Sequence, residues 1–335
     1  MSVGHFVNDG LMALFFFVVG LEIKRELVTG QLNTIRAAAL PAIGAVGGMV
    51  GPALVYFMLN TSGEAARGWG IPMATDIAFA VGIVALLGAR VSPKLKLFLL
   101  TLAIVDDIGA IAVIAIFYTS DLSLSWLVIA VVGLAMIRVL QILKVWAIGI
   151  YILLGIFIWY AMLESGVHAT IAGVALGLLT PARPLLAQRD AQSIVDAMPD
   201  DAGIGEVRHV SFLVQESVPL TERFENFLHP FTAYMIIPIF ALANAGIVLT
   251  GEKVSAATSS NVTIGIILGL VIGKPLGITL FAWVATKVGF ELPSGINWAQ
   301  FIGMGLAAGI GFTVSIFVGG LAFETAAVTL QKSAF

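Results

Sequence analysis

The chain lacks cysteine altogether and has few charged residues. Its 335 residues include no Cys, and 11% are Asp, Glu, Lys or Arg. Without cysteine, disulfide bonds and thiolate metal sites are excluded. A soluble domain carries about 25% charged residues, whereas this chain is 59% hydrophobic with a mean hydropathy of +1.03. The composition therefore excludes an ordinary soluble domain and is typical of a polytopic membrane protein.

The shortage of charge also limits the partners. The net charge is only −3, and no basic patch with interleaved aromatic residues is present. Nucleic acid is therefore not an expected partner, whereas membrane lipid is. The four histidines are scattered, and no two of them have the helical spacing of metal ligands. The sequence accordingly predicts no resident cofactor.

Long apolar segments, and not the alternating pattern of strands, fill the chain, which favours helices over a membrane barrel. The one long polar stretch, 183–223, is rich in acidic and small residues, and we expect it to be a flexible loop. Residues 1–335 are thus predicted to form a single membrane domain. Ten spans are predicted, at about 6–24, 36–59, 65–89, 95–118, 122–142, 146–163, 167–181, 227–249, 261–286 and 299–322.

The lysines and arginines of the predicted loops are distributed unevenly. When the loops are assigned alternately to the two sides of the membrane, one side receives 13 of these residues and the other receives 3. The positive-inside rule places the richer side, which includes 183–223, in the cytoplasm. With ten spans, both termini then lie outside, and the first span begins almost at residue 1. We therefore expect one further helix before Met1 and another after Phe335.

Four ionisable residues fall deep inside the predicted spans: Asp76, Asp106, Asp107 and Lys274. A charged side chain at the bilayer centre costs at least about 2.5–3.5 kcal/mol, so each needs a partner or a function. Asp106 and Asp107 are adjacent in the span 95–118, and adjacent residues project about 100° apart on a helix. Only one of them can face Lys274, and the other faces a cavity. A purely structural ion pair would leave the second carboxylate without a role.

Two of the predicted spans look interrupted. In 68–82, two glycines and a proline precede Thr75 and Asp76, and in 304–320 two glycines fall in the middle of the span. Paired broken helices are typical of a transporter binding site. Their ends carry partial charges, which Asp76 and Lys274 could offset. The alternative is that Gly and Pro are simply common in membrane helices.

Glycine recurs at every fourth residue of the span 261–286, from Gly265 to Gly277. Such a face lets two helices approach very closely. We expect it to hold Lys274 against neighbouring helices and away from lipid.

The first predicted span ends in the sequence GLEIKREL. Glu22 and Arg25 lie three residues apart and therefore share a helix face. On the residues alone, this stretch is equally explained as the positively charged flank of a span. Glu225, in FENFLHP, is by itself most simply a residue near a helix end.

Together these stretches closely resemble the NhaA family of bacterial sodium/proton antiporters. The resemblance covers nearly the whole chain and is carried by the strings LEIKREL, ATDIAFAVG, LAIVDDIGAIAVIAIFYT, SGVHATIAGV, IGKPLGITLF and GIGFTVSIF. It implies an all-α fold of twelve helices, ten of them present here, arranged as an inverted repeat with two discontinuous crossing helices. It also implies electrogenic, pH-regulated exchange of Na⁺ or Li⁺ for H⁺ in the bacterial plasma (inner) membrane, without a cofactor, by a protein that can form a homodimer.

The resemblance further implies roles for individual residues. Asp107 is expected to be the direct cation ligand, and Asp106 the partner of Lys274. Thr75 and Asp76 are expected at the crossing of the unwound helices, where Asp76 balances helix dipoles and Thr75 helps to bind the ion. Three residues match the family's pH-response region: Glu22, Arg25 and Glu225.

Two alternatives stand beside this hypothesis. The family's first and last helices are absent from the sequence, so one alternative is a non-transporting, truncated form of the same fold. The other is an intramembrane aspartyl protease, which also uses two membrane aspartates. Its aspartates come from two helices and converge on one water, whereas Asp106 and Asp107 are adjacent on one helix.

Overall fold

The computed structural model describes residues 4, 6–119, 122–143, 145, 148–184, 186–199, 202–244 and 250–332. Within these ranges, the side chains at 89, 148, 188, 252–254, 256 and 324–332 are not described. All regular structure in the described part of the chain is helical, which confirms the predicted all-α class.

Fifteen helices follow one another in the described ranges. They are α1 (Phe6–Val28), α2 (Ile35–Leu59), the 3₁₀ helix α3 (Glu64–Met73), α4 (Ile77–Leu86), α5 (Pro93–Phe117), α6 (Leu124–Ile142), α7 (Ile148–Glu164), α8 (Thr170–Leu179), α9 (Gln188–Asp196), α10 (Ile204–Gln215), α11 (Leu220–Asn244), α12 (Gly251–Ser259), α13 (Asn261–Lys287), α14 (Trp298–Ala308) and α15 (Phe312–Lys332). Short 3₁₀ turns occur at Gln31–Asn33 and Gly88–Arg90.

The helices of membrane length agree with most of the predicted spans. Within the described ranges, six are long and apolar enough to cross a bilayer, namely α1, α2, α5, α6, α11 and α13. Two further spans are broken as predicted: α3 and α4 meet at a bend of 42°, and α14 and α15 at a bend of 48°. The remaining two segments form the shorter apolar helices α7 and α8.

Helix α8 is shorter than the span predicted at 167–181. Its ten residues rise only about 15 Å, roughly half of the hydrocarbon core. Gly166, with a φ of 79°, precedes it, and Thr180-Pro181 follows, where the residue before proline leaves the helical conformation. Local chain breakers therefore shorten a segment that is apolar throughout.

The segment 183–223, predicted to be a flexible loop, also carries regular helical structure. The segment contains α9 and α10, and α11 already begins at Leu220. The backbone amide of Gly203 donates to the Glu206 side chain at 3.1 Å and so caps the start of α10, while Ala191 of α9 is buried. The acidic, small-residue composition conceals these local helix signals.

Two seams of glycine hold the helix bundle together. In the first, Gly20 of α1 lies against Gly177 of α8. In the second, the glycine face of α13 packs against α2, so that a Cβ on Gly277 would collide with the carbonyl oxygen of Gly47. The backbones can approach this closely only because no side chains separate them. The predicted role of the glycine face of α13 is confirmed, and Lys274 on the same helix is completely buried.

This seam gives a stability prediction. Gly277→Ala adds a methyl group where it meets the Gly47 backbone, and overpacking of this kind costs about 1–3 kcal/mol. We expect the midpoint of thermal unfolding in detergent to fall. Gly303→Ala on α14 is the matched control, because a Cβ there meets nothing within 4 Å. Equal unfolding midpoints for both variants would show that the seam is not close-packed.

Candidate functional site

The two broken helices contact each other at their breaks. The backbone amide of Asp76, between α3 and α4, donates to the carbonyl oxygen of Ile310, between α14 and α15, at 2.7 Å. Unwound backbone is tolerated at membrane depth only inside protein or beside a water-filled cavity. Here a backbone group of one break hydrogen-bonds to a backbone group of the other. Thr75 and Asp76 are both buried.

The Asp76 carboxylate caps two helices at once. One oxygen accepts from the backbone amide of Phe79 at 3.2 Å, in the first turn of α4. The other accepts from the backbone amide of Thr313 at 3.1 Å and from the Thr313 hydroxyl, at the start of α15. Helix N-termini carry partial positive charge, so two of them together stabilise this buried carboxylate.

Asp106 on α5 forms an ion pair with Lys274 on α13. The Lys274 ammonium lies 2.6 Å from Asp106 Oδ2, and both side chains have 0% exposure. Lys274 also donates to the carbonyl oxygen of Met73, the last residue of α3. The lysine therefore joins the carboxylate to the partially negative C-terminal end of α3.

The Thr75 hydroxyl completes this cluster. It lies 2.6 Å from Asp106 Oδ2 and 2.9 Å from the carbonyl oxygen of Ala308, the last residue of α14. A hydroxyl carries one proton, so it can donate to only one of these oxygens at a time. The second oxygen of Asp106, Oδ1, is buried and has no hydrogen-bond partner among the described residues.

Asp107, the next residue on α5, is in a different position. Its side chain is 7% exposed, and the part of the chain that the structure describes offers it no hydrogen bond or ion pair. The charges that act on it come from Asp106, Glu22, Lys274 and Asp76. An isolated buried carboxylate is favourable only when it is neutralised, so Asp107 can take either a proton or a cation.

The three residues of the predicted pH-response region lie away from the ion pair. Arg25 on α1 donates to both carboxylate oxygens of Glu225 on α11, at 2.7 and 2.8 Å. Glu22, one turn before Arg25, interacts electrostatically with both of these residues and also acts on Asp107. The structure thus brings Arg25 and Glu225 together in an ion pair that links α1 to α11.

Sequence reasoning missed several groups of the site. The carbonyl groups of Met73 and Ala308 cannot be inferred from residue identity, because every residue carries one. Thr313 follows Gly309 and Gly311 closely, but nothing in the sequence pairs it with Asp76. Of the described residues, no three His, Asp or Glu side chains come together as metal ligands.

Gly68 and Gly70 have another role than breaking the helix. A Cβ on Gly70 would lie 2.7 Å from the Tyr118 hydroxyl, and a Cβ on Gly68 would collide with the hydroxyl of Tyr56. Tyr118 donates to the carbonyl oxygen of Arg67 at 2.7 Å and accepts from the Gly70 amide at 3.2 Å. These glycines therefore make room for tyrosines that fix α3.

Comparison with known proteins shows the family of this chain. The family model described as Na⁺/H⁺ antiporter 1 matches residues 1–335. The Na⁺/H⁺ antiporter NhaA of Rhodopirellula baltica is 46% identical over 99% of this chain and 77% of its own length. The NhaA proteins of Oleidesulfovibrio alaskensis and Shigella dysenteriae are each 47% identical, over 95% of this chain and 74% of their own lengths. The chain therefore belongs to the NhaA family of Na⁺/H⁺ antiporters, which are multi-pass transporters of the bacterial inner membrane, not enzymes, and need no cofactor.

Proposed function

We propose that this chain exchanges Na⁺ or Li⁺ for H⁺ by competition between the cation and protons for Asp107 and Asp106. The observation that carries the proposal is the charge balance of the site. Lys274 neutralises Asp106 at 2.6 Å, the helix ends stabilise Asp76, and Asp107 has no such partner among the described residues. One deeply placed negative charge is therefore left for a proton or a monovalent cation.

The proposed cation ligands are oxygen donors, which suit a hard cation. Asp107 supplies a carboxylate, Asp106 has one oxygen without a hydrogen bond among the described residues, and the Thr75 hydroxyl can accept as well as donate. In this proposal Asp107 is the direct ligand, and Asp106 and Thr75 assist it. Na⁺ and H⁺ are substrates, and neither stays in the protein.

We further propose that the exchange is electrogenic, and that in the cation-free state Asp106 leaves its ion pair with Lys274 and takes a proton as well as Asp107. Two carboxylates can carry two protons, whereas one monovalent cation replaces both. Lys274 remains tethered to the Met73 carbonyl when Asp106 is protonated. Each cycle then moves one net charge, which a transport current on a supported membrane would detect.

Alternating access is the remaining element of the mechanism. In this proposal the site lies near the membrane midplane, where rocking of the helices would expose it to each side in turn. Asp76 and Lys274 keep the broken helix ends compensated in both states. We place the end with Arg25 and 183–223 in the cytoplasm on the positive-inside rule. The family resemblance further suggests a homodimer, which native mass spectrometry of the purified protein tests.

We also propose that the Arg25–Glu225 pair sets the pH response. It joins α1 to α11, and Glu22 connects it electrostatically to Asp107. A change of protonation in this cluster therefore acts on the ion site without a direct contact.

The first prediction concerns the carboxylates. Asp107→Asn and Asp106→Asn each remove a charge that the cation needs, so both variants should lose Na⁺-dependent proton movement in everted vesicles. Asp121, a control that the sequence offers, lies outside the described residues. Asp190→Asn, exposed on α9, serves instead and should exchange normally. Normal exchange in both carboxylate variants would refute the proposed site, and a wild-type chain without exchange would favour the non-transporting alternative.

A second prediction concerns the Thr75 hydroxyl. Thr75→Val keeps the shape but removes a group bonded to a charged carboxylate, an interaction worth about 1.5–3 kcal/mol. The apparent KM for Na⁺ should rise about tenfold or more. Thr75→Ser retains the hydroxyl and should stay within about threefold of the wild type. If both variants have the same KM, the hydroxyl takes no part in cation binding.

A third prediction concerns the pH response. Glu225→Gln removes the charge that holds Arg25, and an interaction of about 1.4 kcal/mol corresponds to one pH unit. The pH of half-maximal exchange should move by about one unit, with a maximal rate close to that of the wild type. Asp190→Asn, at an exposed position on α9, is the control. Superimposable pH profiles for both variants would contradict the proposed role.

A further inference from the structure

Helix α13 is not a regular α-helix. A π-helical turn, Gly269–Gly273, separates its halves Asn261–Leu268 and Lys274–Lys287. The backbone amide of Lys274 donates to the carbonyl oxygen of Gly269, five residues earlier. Lys274 is thus the first residue after the turn. A π-turn contains one more residue than an α-turn and is frequent at functional sites.

The extra residue keeps the glycine face aligned with α2. In a regular α-helix every fourth residue drifts by about 40°, so Gly277 would be turned about 120° from Gly265. One added residue turns the second half back by about 100°. Accordingly, both ends of the glycine face contact α2. A Cβ on Gly265 would meet Tyr56, and a Cβ on Gly277 would meet Gly47.

The π-turn also contacts both helix breaks. On one side, a Cβ on Gly269 would lie 2.8 Å from Pro72, next to the break between α3 and α4. On the other side, a Cβ on Gly309 would collide with the carbonyl oxygen of Leu270, and one on Gly311 would lie 3.1 Å from Leu270 Cδ2. Leu270 therefore packs against the break between α14 and α15.

We propose that the π-turn Gly269–Gly273 positions Lys274. In this proposal Leu270 is a positioning residue, which fixes the orientation of Lys274 relative to the break between α14 and α15. The turn brings the lysine to Asp106 and to the Met73 carbonyl, and the contact of the Leu270 side chain with Gly311 fixes this arrangement. The inference rests on the proposed exchange function and assigns it a further residue.

Leu270→Ala tests the contact of the Leu270 side chain with Gly311. Removal of the side chain loosens Lys274 relative to the breaks, so the apparent KM for Na⁺ should rise about fivefold or more. The maximal rate at saturating Na⁺ should stay within about twofold. Leu270→Met, which conserves volume, should restore the wild-type KM. A residue that matters only for folding would lower the maximal rate with the amount of folded protein and leave KM unchanged.

Two variants at the next position separate register from packing. Val271 is 57% exposed on the same turn, so Val271→Ala should leave KM and maximal rate unchanged. Insertion of one alanine after Val271 adds a further residue, turns Lys274 by about 100° relative to the first half of α13, and should abolish exchange. Wild-type exchange by the insertion variant would overturn the role of the π-turn.

The Leu270 variants keep the proposal falsifiable even if the insertion variant does not accumulate in the membrane. An unchanged KM in Leu270→Ala, or an equal rise in Val271→Ala, would overturn the proposal. A raised KM in Leu270→Ala that Leu270→Met restores would support it. Asp107→Asn, measured in the same vesicles, distinguishes failure of the positioning role from failure of the proposed function. Normal exchange by Asp107→Asn would refute the proposed function itself, regardless of the result for the Leu270 variants.

Discussion

A lysine and an aspartate removed from solvent attract each other strongly, but each has lost its hydration, and further hydrogen bonds must replace it. Lys274 and Asp106 are in this situation, and the Met73 carbonyl and the Thr75 hydroxyl supply those bonds. Both groups stand at the break between α3 and α4. In a continuous helix the Met73 carbonyl would be bonded along the helix. The broken backbone is therefore a condition for the buried pair, and the pair in turn occupies the broken end.

Close backbone packing makes this arrangement rigid. The glycine seam sets α13 against α2, and the π-turn corrects the drift of that seam directly before the lysine. Asp76 joins the starts of α4 and α15, so the two breaks are held by one carboxylate. The site consists of helix ends and charges that satisfy one another, and a small rotation of one helix would disturb several of these contacts together.

The sequence was sufficient to predict the helical class, the two interrupted spans and the close-packed glycine face. Long apolar segments and a glycine at every fourth residue are compatible with few other structures. It was insufficient where a contact joins residues far apart in the chain or involves a backbone group, which every residue carries. Nothing in the chain pairs Asp76 with Thr313, and the Met73 and Ala308 carbonyls carry no sequence signal. The two helices within 183–223 were missed because capping by Glu206 acts locally in a polar segment, and α8 was predicted too long because apolar content hides its chain breakers.

Asp107 remains the one deep carboxylate without a neutralising contact among the described residues, and the proposed exchange depends on competition at this position. The most direct test is the release of protons when Na⁺ is added to the purified protein in weakly buffered solution. We expect saturable proton release with rising Na⁺, which is absent in a variant that lacks both Asp106 and Asp107. Na⁺ binding without proton release, or release that persists without the two carboxylates, would contradict competition at this site.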